Sequence, residues 1–200
     1  MARIVTTMGG LMAAYLIYLE PPTAITAWFP WHIFFMTIGV YGFMSYSVLN
    51  FVFNGKKAYN QTVWFHFVLN ALAAACILLG FVAIYTNKET KGKTHWKSWH
   101  GTIGFYTFVL IMGMTIGNIS FLFPDQMVRA VGPKTVKKIK LVHRIVGTLA
   151  YVFVMFEMFL AYYSNWFNRN VTGVLWYLFP TMTLLMAAIV VVQVAPKFFR

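Results

Sequence analysis

The chain holds five histidines: His32, His66, His95, His100 and His143. Neutral imidazole is a common ligand for transition metals and for haem iron. Four of the five, His32, His66, His100 and His143, fall near the starts of four consecutive apolar stretches, one in each. Ionisable groups inside membrane-length apolar segments are costly and usually functional. Successive spans cross in opposite directions, so parity sorts the four by depth. His32 and His100 open spans that start on one side; His66 and His143 open spans that start on the other. Two histidines at equal depth on different helices can clamp one haem iron from both faces. Two such pairs predict two b-type haems, one near each face, with the pairs roughly 20 Å apart at 1.5 Å of rise per residue. A lone histidine at a membrane boundary is ordinarily an anchor or a packing residue. The regularity of all four favours ligands.

Neighbouring residues fit the same chemistry. Gly104 lies four residues after His100, and Gly147 four after His143. One turn from a ligand, a glycine removes the side chain that would strike a flat macrocycle; packing between helices is the ordinary use of such glycines. Asn70 holds the same offset from His66 and could donate a hydrogen bond behind it. Glu157 sits mid-span, fourteen residues after His143, placed to hydrogen-bond near the outer pair or to carry a proton. Cys76 is the single cysteine, so neither a disulfide framework nor a thiolate cluster is expected.

The elements that must position these residues are apolar helices. The chain of 200 residues is 60% hydrophobic and 10% charged, against about a quarter charged in soluble domains. Six apolar segments occupy about 4–19, 31–53, 62–85, 98–123, 139–163 and 172–194. Loops are expected at 87–97, 126–138 and 165–170. About 18 apolar residues suffice for a spanning helix, so the expected fold is an all-α membrane protein. It has six transmembrane helices, and the second to fifth form a central four-helix bundle around two haems. Residues 1–200 read as one domain, with no cleavable signal expected because the first segment begins almost at once.

The net charge is +12. Its bases are scattered between spans, which argues for membrane lipid and against nucleic acid. Six spans put both termini on one side. That side carries Arg3, Lys56, Lys57, Arg129, Lys134, Lys137, Lys138, Lys140, Arg144, Lys197 and Arg200. The other carries Lys88, Lys91, Lys93, Lys97 and Arg169. The positive-inside rule then places both termini in the cytoplasm.

Several motifs join the histidines. They are Trp31-His32, Trp64-Phe65-His66, the run Gly92-Lys93-Thr94-His95-Trp96-Lys97-Ser98-Trp99-His100-Gly101, and Lys138-Ile139-Lys140-Leu141-Val142-His143 with Gly147 and Tyr151. Trp166-Phe167, Val171-Thr172-Gly173 and Trp176-Tyr177 follow. In order and spacing the chain resembles the cytochrome b561 family of ascorbate-dependent transmembrane reductases, closest to its short six-helix members. The resemblance implies that His32 and His100 ligate an outer haem, and His66 and His143 a cytoplasmic one. It implies ascorbate as the cytoplasmic donor and monodehydroascorbate or Fe3+ as the outer acceptor. Lys57, Lys134, Lys138, Lys140 and Arg144 would dock anionic ascorbate. His95 matches a histidine of the short members, and with Lys93 and Lys97 it would form an outer substrate site. A homodimer is the implied assembly, and an endomembrane or vesicle membrane is expected ahead of the plasma membrane. Two departures stand out: Glu157, and Gln61 where some members hold a lysine.

The competing reading is a histidine-lined metal or proton transporter without haem. Segments two to five offer it no carboxylate-rich path, since Glu157 is the single acid deep in a span. No matched pair of interrupted helices supports it either.

Overall fold

The computed structural model describes residues 2–53 and 59–194, and every regular element among them is helical. Helix α1 is Ala2–Leu19. Helix α2, Trp28–Thr37, runs on through a π-helical stretch, Ile38–Met44, into α3, Ser45–Phe53. Then come α4 (Tyr59–Thr90), α5 (Trp99–Gly117) with a 3₁₀ tail (Asn118–Leu122), α6 (Pro124–Val131), α7 (Pro133–Ala161), α8 (Asn165–Asn170) and α9 (Val174–Val194).

Five stretches among the described residues are long and apolar enough to cross a membrane: Trp28–Phe51, Gln61–Thr90, Trp99–Leu122, Pro133–Ala161 and Val174–Gln193. The first apolar helix, Arg3–Leu19, is shorter; its 17 residues rise about 26 Å, a little under the roughly 30 Å hydrocarbon core. Outward faces are apolar: Tyr106 and Ile116 on α5 are 68% and 70% exposed. Such a surface suits lipid rather than water, and helices satisfy their own backbone there.

Helix α2 with its continuation packs on α4, α4 on α5, α5 on α7, and α7 touches the π-helical stretch, closing a four-helix ring. Helices α1 and α9 pack beside it. Gly39 lets the π-helical stretch and α4 come close, since a Cβ there would lie 2.8 Å from Cys76 Cβ and 3.3 Å from the Ala73 carbonyl. The π-helical stretch carries buried Tyr41 to Tyr162 and to Thr183, whose Oγ1 is 2.8 Å from the Tyr41 hydroxyl. Ser45 Oγ meets the Tyr151 hydroxyl at 3.0 Å. These hydroxyls satisfy one another where no water can, which makes the wider turn affordable.

The loops expected at 126–138 and 165–170 are largely helical. Pro124 and Pro133 occupy first-turn positions of α6 and α7, where a fixed φ starts a helix and the missing N–H costs nothing. Gly132, at φ +78°, separates the two. Asp125 and Arg129 complement the α6 dipole. Ser164 caps α8 by accepting from the Phe167 N–H at 3.2 Å. Trp166 on α8 donates to Glu20 Oε2 at 2.7 Å, tying α8 to the end of α1.

Candidate functional site

His32 enters from the first turns of α2 and His100 from the start of α5, where Ser98 caps the helix by accepting from the Gly101 N–H. Their ring centres lie 6.4 Å apart, planes crossed at 65°. His66 on α4 and His143 on α7 form a second pair, 6.2 Å apart and crossed at 86°. The fold therefore brings together the two pairs that span parity matches. His32 hydrogen-bonds the carbonyl of Gly80, fourteen residues after His66 on α4. His100 lies against Glu157, fourteen residues after His143 on α7. Fourteen residues of helix rise about 21 Å, so the pairs stand near opposite ends of the bundle.

Each ring has an oxygen at Nδ1. For His32 it is the Gly80 carbonyl at 2.9 Å. For His66 it is Ser47, whose Oγ lies at 2.9 Å and whose carbonyl lies at 3.2 Å. For His143 it is Asn118 Oδ1 at 3.0 Å, and for His100 it is Glu157 Oε1. A carbonyl only accepts, so Nδ1 of His32 carries the hydrogen and Nε2 keeps its lone pair. The same assignment suits the other three, and it is the arrangement of a metal-bound histidine with an oriented ring.

The pairs fit a bis-imidazole haem. Metal–imidazole bonds of about 2.0 Å, with about 1.1 Å from nitrogen to ring centre, put two rings on opposite sides of one ion roughly 6.2 Å apart. Among the described residues no group of three or more His, Cys, Asp or Glu converges to hold a metal ion. Two imidazoles suffice where a macrocycle brings the other four nitrogens. The walls are apolar and aromatic. Phe51 and Phe121 meet His66 and His143 edge-on, with ring centres 4.9 and 5.1 Å away. A cavity of about 250 Å³ beside His32 and His100 is lined by Phe29, Met36, Phe81, Phe108 and Trp166 among others.

The remaining predicted residues divide. His95 is half-buried, stacks on Tyr85 at 4.4 Å, bonds Glu89 Oε1 at 2.7 Å and lines the cavity beside His32 and His100. Lys93 and Lys97 are exposed in the same turn and do not line it. Lys134, Lys138, Lys140 and Arg144 are exposed on the first turns of α7. At about 100° per residue, Lys140 and Arg144 lie within roughly 100° of His143 around the helix, whereas Lys134 falls on the opposite face. Lys57 lies outside the described residues. Asn70 donates to the His66 carbonyl at 2.8 Å and to Ser47 Oγ, and its Nδ2 also lies 3.3 Å from both ring nitrogens of His66. A Cβ on Gly104 would meet the Glu157 carboxyl, with Oε1 at 3.0 Å. One on Gly147 would touch Met114 at 3.7 Å.

Sequence reasoning missed Ser47, Asn118, the Gly80 carbonyl and Lys88. Lys88 lines the same cavity, half-buried, eight residues after Gly80 and so close to the same face of α4. That spacing was the available signal. Trp96, also lining the cavity, holds a left-handed φ of 57° and is gripped between Phe81 and Phe105.

A family model for eukaryotic cytochrome b561 matches residues 31–168. The transmembrane reductase CYB561D2 of Bos taurus is 31% identical over 130 residues, covering 65% of this chain and 57% of that protein. Its Homo sapiens counterpart matches with the same identity and coverage. The probable transmembrane reductase CYB561D1 of Mus musculus is 27% identical over 180 residues, covering 86% of this chain and 76% of that protein. The chain thus spans 57% of the length of the CYB561D2 relatives it matches. With its matched stretch containing all four paired histidines, the chain belongs to the cytochrome b561 family.

Proposed function

We propose that this chain carries electrons across a membrane. Cytoplasmic ascorbate is the donor, monodehydroascorbate or ferric iron on the opposite side is the acceptor, and two b-type haems are the resident cofactors. Family membership implies b-type haem. The observation that carries the reading is the two imidazole pairs, 6.4 and 6.2 Å between ring centres, set near opposite ends of one bundle. In this reading His32 and His100 hold the outer haem, and His66 and His143 the cytoplasmic one. When bound, each would supply one-electron Fe(III)/Fe(II) exchange without a proton or a bond change at the iron.

The chain's own residues do the rest. Gly80, Ser47, Asn118 and Glu157 fix the four rings so that each presents Nε2. Phe51, Phe121 and the apolar outer cavity keep water from the ligands. Lys140 and Arg144, on the same side of α7 as His143, attract an anionic donor, and Lys57, Lys134 and Lys138 add to the field. Lys88 and His95 do the same for an outer acceptor, with Lys93 and Lys97 at the rim. Residues 1–200 act as one membrane domain. Helix α1 is the sixth span, both termini are cytoplasmic, the assembly is a homodimer, and the site of action is an endomembrane or vesicle.

The test is purified protein in sealed vesicles loaded with ascorbate, with ferric chelate or monodehydroascorbate outside. The expected result is haem reduction by internal ascorbate and reoxidation by the external acceptor. A red protein that ascorbate cannot reduce would leave a cytochrome and remove the donor assignment.

A further inference from the structure

Three of the four paired histidines place Nδ1 against a neutral oxygen: a backbone carbonyl for His32, Ser47 for His66 and an amide for His143. His100 alone among them faces an acid. Glu157 Oε1 lies against His100 Nδ1, Glu157 is buried with its side chain 12% exposed, and apart from this contact neither carboxyl oxygen nor His100 Nδ1 has a hydrogen-bond partner among the described residues. Space for this carboxyl is provided by Gly104, where a Cβ would come within 3.0 Å of Oε1. The contact therefore involves three matched positions on two helices: His100 and Gly104 on α5, and Glu157 on α7.

We infer that Glu157 is a positioning residue for His100. Its carboxyl accepts the Nδ1 hydrogen and makes the outer pair more electron-rich, so that a haem held there is harder to reduce than it would be without that carboxyl. An anionic acceptor behind a ligating imidazole raises the basicity of the other nitrogen, which favours the more positive iron. This inference rests on the haem reading above and goes beyond it by assigning Glu157 a role at one haem only. Lys88 lines the same cavity and opposes the effect, and it is unchanged in each variant.

The experiment is a spectroscopic redox titration of the haem-loaded full chain, comparing the parent, Glu157→Gln and Asn118→Asp. Glutamine keeps the size and removes the charge. In Glu157→Gln the outer haem is expected to become at least tenfold easier to reduce relative to the cytoplasmic one, about 59 mV for one electron. Asn118→Asp places the carboxyl behind His143 instead, and there the cytoplasmic haem is expected to become at least tenfold harder to reduce while the outer is unmoved. If Glu157→Gln fails to load its outer haem, Asn118→Asp decides. Unmoved potentials, or equal shifts of both haems, in a red and folded protein would overturn the inference and leave the haem reading intact. A parent protein that binds no haem would overturn both.

Discussion

Replacing Asn118 with leucine removes the acceptor that holds His143 Nδ1 at 3.0 Å while keeping the side chain's size. His143 is then free to rotate, and its Nδ1–H loses its partner in a wall formed by Phe121. Loss of a partner behind a metal ligand typically weakens metal binding 10- to 100-fold, roughly 1.4 to 2.7 kcal/mol. The effect should be confined to one haem, because the other pair lies about 21 Å away along the helices. The assay is haem transfer from the purified protein to an excess of a high-affinity acceptor protein, followed in the Soret band. The expected trace is biphasic, with half the haem leaving at least tenfold faster than in the parent and half at the parental rate. A uniform acceleration would mean that the substitution loosens the bundle, and an unchanged trace would refute the role given to Asn118.

Three further expectations follow from the packing and the charges. Gly39→Ala forces a Cβ to 2.8 Å from Cys76 Cβ and should cost about 1–3 kcal/mol, read as a lower thermal midpoint in detergent. Gly42→Ala, whose nearest neighbour would be at 4.0 Å, should be tolerated, so equal losses would contradict the close approach of the π-helical stretch to α4. Lys88→Met should raise KM for an anionic outer acceptor roughly fivefold, about 1 kcal/mol, with Lys97→Met nearly silent; the reverse order would move the outer site to the exposed turn. Tags at the two termini should be protected or cleaved together in sealed vesicles, and a split result would remove α1 from the membrane.

The histidine pairing was legible because apolar spans alternate direction, and parity needs no side-chain detail. Bundle order followed from the same runs. The π-helical stretch was hidden: Gly39 and Gly42 sit in a uniformly apolar run, and the demand of Tyr41 for Tyr162 and Thr183 exists only once α7 and α9 are in place. Helices α6 and α8 were hidden for a different reason. Pro124, Pro133 and Ser164 are helix starters as well as turn residues, and six to eight residues are too few for an apolar period to show. Glu157 could be put near His32 and His100 by counting turns, but its contact with His100 depends on the α5–α7 approach at Gly104. That same contact gives Gly104 a packing role beside the clearance it offers a macrocycle. Lys134 counted as part of a basic cluster in sequence, yet helical phase turns it away from His143.

The most direct test of the central claim is haem stoichiometry in single-histidine variants. The parent should carry two haems per chain. His66→Ala and His143→Ala should each lose one and the same haem, and His32→Ala and His100→Ala should each lose the other. A colourless parent, or spectra that group His66 with His100, would contradict the account.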